Sequence, residues 1–307
     1  MASNSFAESD RQHNPVAGVF WMLVTGFCFV MVTALVKTVG PGVPPAQSAF
    51  LRYALGLIFV IPMIRPMLRA QLSPRALKLF GLRGVVHTAG VILWFYAMTQ
   101  IPIAEVTAMN YLNPVYVTIL AALLLGERLA ARRIMAIVVA LIGALVILRP
   151  GFREISPGHI AMLFTAMSFA VGYLVAKIMA DETSPAVVVG MLSVTVTIGL
   201  APFAWAVWVP VTLDQLAWLF GVAVFATAGH FTMTMAFKAA PLTVTQPVTF
   251  LQLVWATLLG ALVFGEPADI WVILGGAMII AAVSYITLRE AMLKRRQVTP
   301  AVAQTKL

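Results

Sequence analysis

Long apolar stretches recur along almost the whole chain, from Val16 to Leu288. A helix needs ~20 apolar residues to span the hydrocarbon core of a bilayer, and it must satisfy its own backbone hydrogen bonds there. Strands of a membrane barrel would alternate polar and apolar residues, and this sequence does not. The composition also indicates membrane-spanning helices, because 61% of the 307 residues are hydrophobic and only 10% are charged. The sequence therefore predicts an all-α integral membrane protein embedded in a lipid bilayer.

Charged residues, prolines and glycines divide these stretches into ten predicted transmembrane helices. Their approximate spans are 16–38, 46–64, 81–99, 103–125, 132–148, 158–179, 186–209, 216–237, 242–264 and 270–288. The first stretch exceeds the ~7–15-residue core of a signal peptide, so we expect the protein to retain it. Cys28 is the single cysteine, which excludes an internal disulfide and a multi-cysteine metal site. We expect neither a metal ion nor a cofactor.

The second half of the sequence repeats the first half. Positions that match at an offset of 139 or 140 residues include the pairs Phe29 and Phe169, Lys37 and Lys177, Pro102 and Pro241, and Glu127 and Glu266. We predict two five-helix repeats, 15–150 and 151–289, between a tail at 1–14 and a basic tail at 290–307. Because five is an odd number, the second repeat must enter the membrane from the opposite side, which makes the repeats inverted.

The charges of equivalent loops support this inversion. The segment after predicted helix two carries five Lys or Arg residues, whereas its counterpart after helix seven carries Asp214 and neither Lys nor Arg. By the positive-inside rule these segments lie on opposite faces of the inner membrane, with both termini in the cytoplasm. Arg149 and Arg153 are exceptions on the outer side. Since the basic residues collect at helix ends, the net charge of +9 indicates anionic headgroups rather than nucleic acid as partners.

Two segments, 101–133 and 240–266, each combine prolines with a closing Gly-Glu pair. Together with the two repeats, they resemble the EamA branch of the drug/metabolite transporter superfamily. The resemblance implies a secondary transporter with alternating access, whose central site is lined mainly by helices one, three, four, six, eight and nine. Similar proteins include exporters of amino acids and metabolites, and importers of riboflavin or S-adenosylmethionine.

A small polar metabolite is therefore the expected substrate, in the class of amino acids, nucleoside-like compounds or flavins. The alternative is an importer of one specific cofactor, such as riboflavin or S-adenosylmethionine. An intramembrane enzyme would need a nucleophile with its base, or converging metal ligands. The sequence has no HExxH motif, paired aspartates or Cys-His arrangement. A channel is also less favoured, because an inverted repeat with polar faces is typical of carriers.

Polar side chains inside helices four and nine are the main candidates for substrate binding. Asn110 and Asn113 lie one turn apart on helix four, and at an offset of 139 they match Thr249 and Gln252 on helix nine. Polar groups in hydrocarbon are costly unless they face protein or water. These faces either form a site between the repeats or join neighbouring helices through hydrogen bonds. We also expect kinks in both helices, where Pro114 and Pro247 remove backbone donors.

Aromatic and histidine side chains extend this candidate site. Trp94, Tyr116 and Trp255 could stack on a planar ligand, or they could serve as packing groups. His230 lies in the middle of helix eight, where we expect it to face the central site or to be a structural histidine. His87 is a weaker candidate, because it lies nearer the predicted cytoplasmic end of helix three.

Two charged positions complete the candidates. Arg52 lies within helix two, where an arginine must snorkel, pair or face water. We interpret it as a structural anchor in preference to a contact for a substrate anion. The sequence places no carboxylate near the membrane middle, so proton coupling would have to involve Glu105 or His230.

Small residues on helices five and ten permit close helix contact. They are Ala136, Ala140, Ala144, Ala277 and Ala281. These stripes favour either a scaffold within the chain or a homodimer, and the sequence does not choose between them.

The charge asymmetry generates a prediction about orientation. Single cysteines introduced beside Asp214 and Asp269, in a Cys28→Ser background, should react with an impermeant maleimide added to intact cells, because both loops are predicted to face outward. Labelling is measured on the isolated protein. A cysteine beside Arg75 should stay unlabelled until the cells are opened, and its labelling in sealed cells would reverse the topology.

Overall fold

The computed structural model describes residues 14–125, 131–152, 154–240, 248 and 250–298. In this part of the chain the regular elements are helices, as predicted. The first half contains α1 (Pro15–Val39), α2 (Pro45–Gly56), α3 (Ile64–Arg69), α4 (Pro74–Gln100), α5 (Ile103–Asn110), α6 (Asn113–Leu125) and α7 (Ala131–Leu148). The second half contains α8 (Pro157–Glu182), α9 (Pro185–Ala206), α10 (Leu213–Ala239), α11 (Phe250–Phe264) and α12 (Ile270–Val298). A 3₁₀ helix, Leu57–Met63, joins α2 to α3.

The described helices have the surface of a membrane protein. Seven of them are long and apolar enough to cross a membrane, and two shorter apolar helices, Pro157–Gly172 and Leu251–Phe264, accompany them. On α7 the large side chains Ile134 and Met135 are exposed, while Ala140 and Ile147 are fully buried. A helix that is apolar on both its buried and its exposed face fits a lipid environment and not water. The chain is thus a multi-pass membrane protein.

Two predicted helix boundaries are wrong. Helix three begins at Pro74 and not at 81, because Ser73 caps it by accepting a hydrogen bond from the Ala76 N–H at 3.1 Å and proline suits the first turn. The last helix continues to Val298, so part of the predicted tail 290–307 is helical. Its final turns are rich in Lys, Arg and Gln, which are good helix formers.

Predicted helix four is broken in its middle. α5 ends at Asn110 and α6 starts at Asn113, with a tight turn between them. In this turn the Tyr111 N–H donates to the Ala108 carbonyl at 3.2 Å, three residues back instead of four. Pro114 has no N–H to bond the Asn110 carbonyl. The kink predicted at Pro114 is therefore confirmed, whereas the one predicted at Pro247 lies outside the described residues.

The helices pack in pairs that join the two halves of the chain. α1 packs along α10, and α4 packs along α8. α7 packs along α12, α2 contacts α9, and α5 contacts α11. The largest cluster of buried apolar side chains, which includes Phe95, Met109 and Ile279, draws on both halves. The two halves therefore share one core.

The small-residue stripe of α7 lies in the contact with α12 within the chain. Ala136, Ala140 and Ala144 are all buried. A Cβ atom added to Gly143 would lie 2.7 Å from the Gly275 carbonyl oxygen, and one added to Gly275 would lie 2.6 Å from Cγ1 of Ile147. The backbones of α7 and α12 approach so closely that only glycine fits at these two positions. On α12, by contrast, Ala277 is half-buried and Ala281 is exposed, so the choice between a scaffold and a homodimer stays open for this stripe.

This close approach predicts the effect of a single methyl group. Gly275→Ala should lower the apparent melting temperature in detergent, because overpacking typically costs ~1–3 kcal/mol. Gly81→Ala is the matched control, since a Cβ there would meet nothing within 4 Å and alanine favours a helix by ~1 kcal/mol over glycine. Unchanged melting of Gly275→Ala would show that α7 and α12 are not packed this tightly.

Candidate functional site

Two buried polar atoms, one at the break in helix four and one on α4, have no hydrogen-bond partner in the part of the chain that the structure describes. The Asn110 Oδ1 atom is buried and has no hydrogen-bond partner among the described residues. The same holds for the Trp94 indole Nε1 on α4. Leaving such an atom unsatisfied costs ~1–3 kcal/mol. Both atoms were candidates from the sequence, and both require a partner that water or a ligand can supply.

Asn113 and Gln252 lie on the two sides of the contact between helix four and α11. Asn113 is only 8% exposed, and Gln252 is partly buried. Neither side-chain amide forms a hydrogen bond to another residue in the described ranges. The Tyr111 hydroxyl reaches the backbone of Leu253, next to Gln252, and Gln252 also packs beside Gly26 of α1. Both interpretations of these amides, a substrate site and helix-to-helix hydrogen bonds, stay predictions.

An aromatic row connects α4, α8 and α2 in the interior. The Trp94 ring contacts Phe169 edge to face at 6.0 Å between centroids, and Phe169 stacks on His87 at 4.8 Å. The His87 Nε2 atom forms a hydrogen bond of 3.0 Å with the Tyr53 hydroxyl. The Arg52 guanidinium lies over the Tyr53 ring, 4.0 Å from its centroid. Trp94 and Arg52, which the sequence analysis named as candidates, thus belong to one continuous row of side-chain contacts.

His87 is more central than the sequence prediction placed it. Since α4 runs from Pro74 to Gln100, His87 is at its midpoint. His230 on α10 contacts Phe29 of α1 edge to face at 5.3 Å, so each histidine packs on one member of the repeat pair Phe29 and Phe169. Sequence reasoning missed Tyr53, Phe29 and Phe169 as site residues, although the matched phenylalanines were a signal.

Glu105 forms a buried pair that the sequence did not predict. Its Oε2 atom lies 2.5 Å from Nε2 of His159 on α8, and both residues are almost fully buried. His159 was not among the candidates, because its contact with Glu105 depends on how helix six packs against helix four. The pair fixes the start of α8 to the start of α5.

A second polar contact closes the same end of the bundle. Lys37, at the end of α1, forms an ion pair with Glu266, which follows α11. The Ile103 N–H donates to Oε2 of Glu266 at 2.9 Å, and the Lys37 ammonium donates to the Ile101 carbonyl at 3.4 Å. This group, Lys37, Glu266 and the backbone of Ile101 and Ile103, is called the latch below. It holds together the ends of α1, α4 and α11 and the start of α5.

Arg149, an exception to the positive-inside rule, is neutralised at the same end of the bundle as the latch. It forms an ion pair with Asp269, which precedes α12. At the opposite end of the bundle, Arg75 on α4 donates to Glu182 on α8 at 2.7 Å, and this pair is exposed. Arg149 is therefore not a free cation on the predicted outer side, and Arg153 lies outside the described residues.

Three further residues predicted from the sequence are Tyr116, Trp255 and Thr249. Tyr116 is partly buried on α6. Trp255 is 45% exposed and shares its face of α11 with the exposed side chains Leu251 and Leu258. Thr249 lies outside the described residues. Within the described ranges no group of three or more His, Cys, Asp or Glu residues could hold a metal ion.

Comparison with known proteins places this arrangement in a family. The model described as the EamA-like transporter family matches the chain twice, at residues 16–149 and 156–288. Its two matches together cover most of the sequence and include the residues of the aromatic row and the latch.

Curated relatives match over nearly their whole length. A riboflavin transporter of Vibrio cholerae is 27% identical over 93% of this chain and 98% of its own. A pseudopaline exporter of Pseudomonas aeruginosa is 28% identical over 87% of this chain and 94% of its own. A crystal structure of a protein 19% identical, with a TM-score of 0.57, covers 91% of this chain and 99% of that chain, which shows a shared fold.

The buried pair predicts unequal effects of two glutamate substitutions. Glu105→Ala should lower the apparent melting temperature clearly, because it leaves buried His159 without this partner at a cost of ~1–3 kcal/mol. Glu105→Gln keeps an oxygen for His159 and should lose less. Glu182→Ala is the control, since its exposed pair with Arg75 is worth ~0–1 kcal/mol. Equal melting of Glu105→Ala and Glu182→Ala would contradict the structural role of the pair.

Proposed function

Because the chain belongs to the EamA-like transporter family, we propose that it moves a small polar metabolite across the inner membrane by alternating access between two inverted repeats. As a member of a transporter family, it is not an enzyme. The substrate site lies between helix four, α4 and α11. Asn110, Asn113, Gln252 and Trp94 supply its polar groups.

The helix packing supports the inverted repeats. Predicted helices one, three, six and eight are α1, α4, α8 and α10. Exchange of the two repeats turns the α1 and α10 pair into the α8 and α4 pair, and both pairs are packed. The same exchange leaves two other pairs unchanged, α7 with α12 and α2 with α9, because each pair contains equivalent helices of the two repeats. The helices of both pairs are in contact. A twofold relation between the repeats accounts for this pattern, and we propose the limits 15–150 and 151–289 for the two repeats.

The latch supports alternating access. A carrier needs its two ends to close in turn, and the contacts that close one end must be breakable. The latch consists of one ion pair and two hydrogen bonds between helix ends, which can separate without disturbing an apolar core. It closes the end of the bundle that the charge rule places on the outer side.

The unpartnered polar atoms are the observation that carries the substrate proposal. A ligand with hydrogen-bonding edges satisfies the Asn110 oxygen and the Trp94 N–H, and a planar part of it can lie against the aromatic row. Amino acids, nucleoside-like compounds and flavins have both properties. Import of one specific cofactor is the second candidate, favoured by the resemblance to the Vibrio cholerae riboflavin transporter. Proton coupling through Glu105 or His230 and assembly as a homodimer remain predictions.

The proposal is tested by a thermal-shift screen of the purified protein against a metabolite library. A ligand that binds only the folded protein stabilises it by ~2.7 kcal/mol at 100 times its Kd. Asn113→Ala and Gln252→Ala should abolish the shift while leaving the melting temperature without ligand nearly unchanged. Gln100→Ala, an exposed amide at the end of α4, should leave the shift intact. Normal ligand shifts in both variants would move the site elsewhere, and unfolding of both would mark the amides as packing groups.

A further inference from the structure

Arg52 introduces a positive charge into the interior of a membrane-spanning region. It lies on α2, where its guanidinium covers the Tyr53 ring at 4.0 Å. A charged side chain inside the membrane must find an opposite charge, a polar cavity or a ligand. The carboxylates with described ion pairs, Glu105, Glu182, Glu266 and Asp269, are paired with other residues. The described ion pairs therefore leave the charge of Arg52 uncompensated.

A second arginine adds to this charge. Arg83 on α4 is 8% exposed and donates to the Val188 carbonyl of α9 at 3.0 Å. Both arginines lie within electrostatic range of His87 and His230. The two arginines therefore create a region of positive potential beside both histidine rings, and an anion that enters this region is attracted by both guanidinium charges.

The same region also has side chains that can form hydrogen bonds. The rings of His87 and His230 lie deep among the helices, yet part of each side chain remains accessible. The Tyr53 hydroxyl and the His87 ring are already joined by a hydrogen bond of 3.0 Å, which orients both groups. Phe169, stacked on His87, continues the wall towards Trp94. The positive charge of Arg52 and the flat apolar surface of Phe169 and Trp94 thus lie at the two ends of one row of side chains.

We infer that the substrate carries a carboxylate or phosphate group, which binds the Arg52 guanidinium beside Tyr53 and His87 while the planar part of the substrate lies along Phe169 and Trp94. This inference rests on the proposed function and narrows its substrate class. Arginine suits the role because its planar fork binds carboxylate and phosphate oxygens in pairs. A neutral analogue of the same shape would leave the positive region uncompensated and would bind less well.

The test compares matched pairs of compounds on the purified wild-type protein. The pairs are N-acetyltryptophan and N-acetyltryptophan amide, uridine monophosphate and uridine, and flavin mononucleotide and riboflavin. In at least one pair the anionic member should bind about tenfold or more tightly than its neutral partner, as a charge-assisted contact provides. The pair that responds distinguishes a carboxylate from a phosphate. This comparison needs no variant, so it stands even where a substitution impairs folding.

Variants assign the effect to Arg52. Arg52→Gln should weaken binding of the anionic member about tenfold or more and leave its neutral partner unaffected, and Arg52→Lys should lose less. Arg65→Gln, which removes an exposed charge on α3, is the control and should bind normally. Tighter binding of the neutral members, or normal binding of anions by Arg52→Gln, would overturn this inference and leave the proposed transport function standing. Binding of no metabolite at all would overturn both.

Discussion

Polar groups within hydrocarbon must find partners in the protein, in water or in a ligand, and this requirement organises the whole structure. At one end of the bundle the requirement is met internally, since Lys37 pairs with Glu266 and Glu105 pairs with His159. In the middle it is not met, because the Asn110 oxygen and the Trp94 N–H lack partners among the described residues. The first group of contacts holds helix ends together, and we assign the second group to the substrate.

The two kinds of polar group give the proposed transport cycle its physical basis. A site with unmet hydrogen bonds lowers its free energy when a polar ligand enters. A latch made of a few polar contacts between helix ends separates at a modest cost, whereas the apolar contact of α7 with α12 is too tightly packed to admit even a methyl group. Motion is therefore expected at the latch and not along the α7 and α12 contact, which would serve as the stable support for both repeats.

Local patterns in the sequence were sufficient to predict the helical architecture and the break at Pro114. Apolar length indicates a spanning helix, and a proline removes a donor wherever it lies. Features that depend on packing were missed. The sequence places His87 too near the end of its helix, because the apolar pattern alone does not reveal the Ser73 cap that starts α4. His159 drew no attention, since only the packing of α8 brings it to Glu105. Trp255 shows the converse, because its repeat position predicted a ligand contact while its side chain is 45% exposed.

The central claim, that one substrate site opens to the two sides in turn, can be tested without knowing the substrate. A cysteine at position 113 is combined with Lys37→Cys and Glu266→Cys in a Cys28→Ser background. The reaction of the cysteine at position 113 with an impermeant maleimide is then measured in intact cells and in inside-out vesicles. Where positions 37 and 266 are not crosslinked, their thiols are blocked so that only the reaction at position 113 is counted. Alternating access predicts reaction from both sides in the open latch, and from the cytoplasmic side only after oxidation has joined positions 37 and 266. Undiminished reaction from the outer side after crosslinking, or no reaction from either side, would contradict the account.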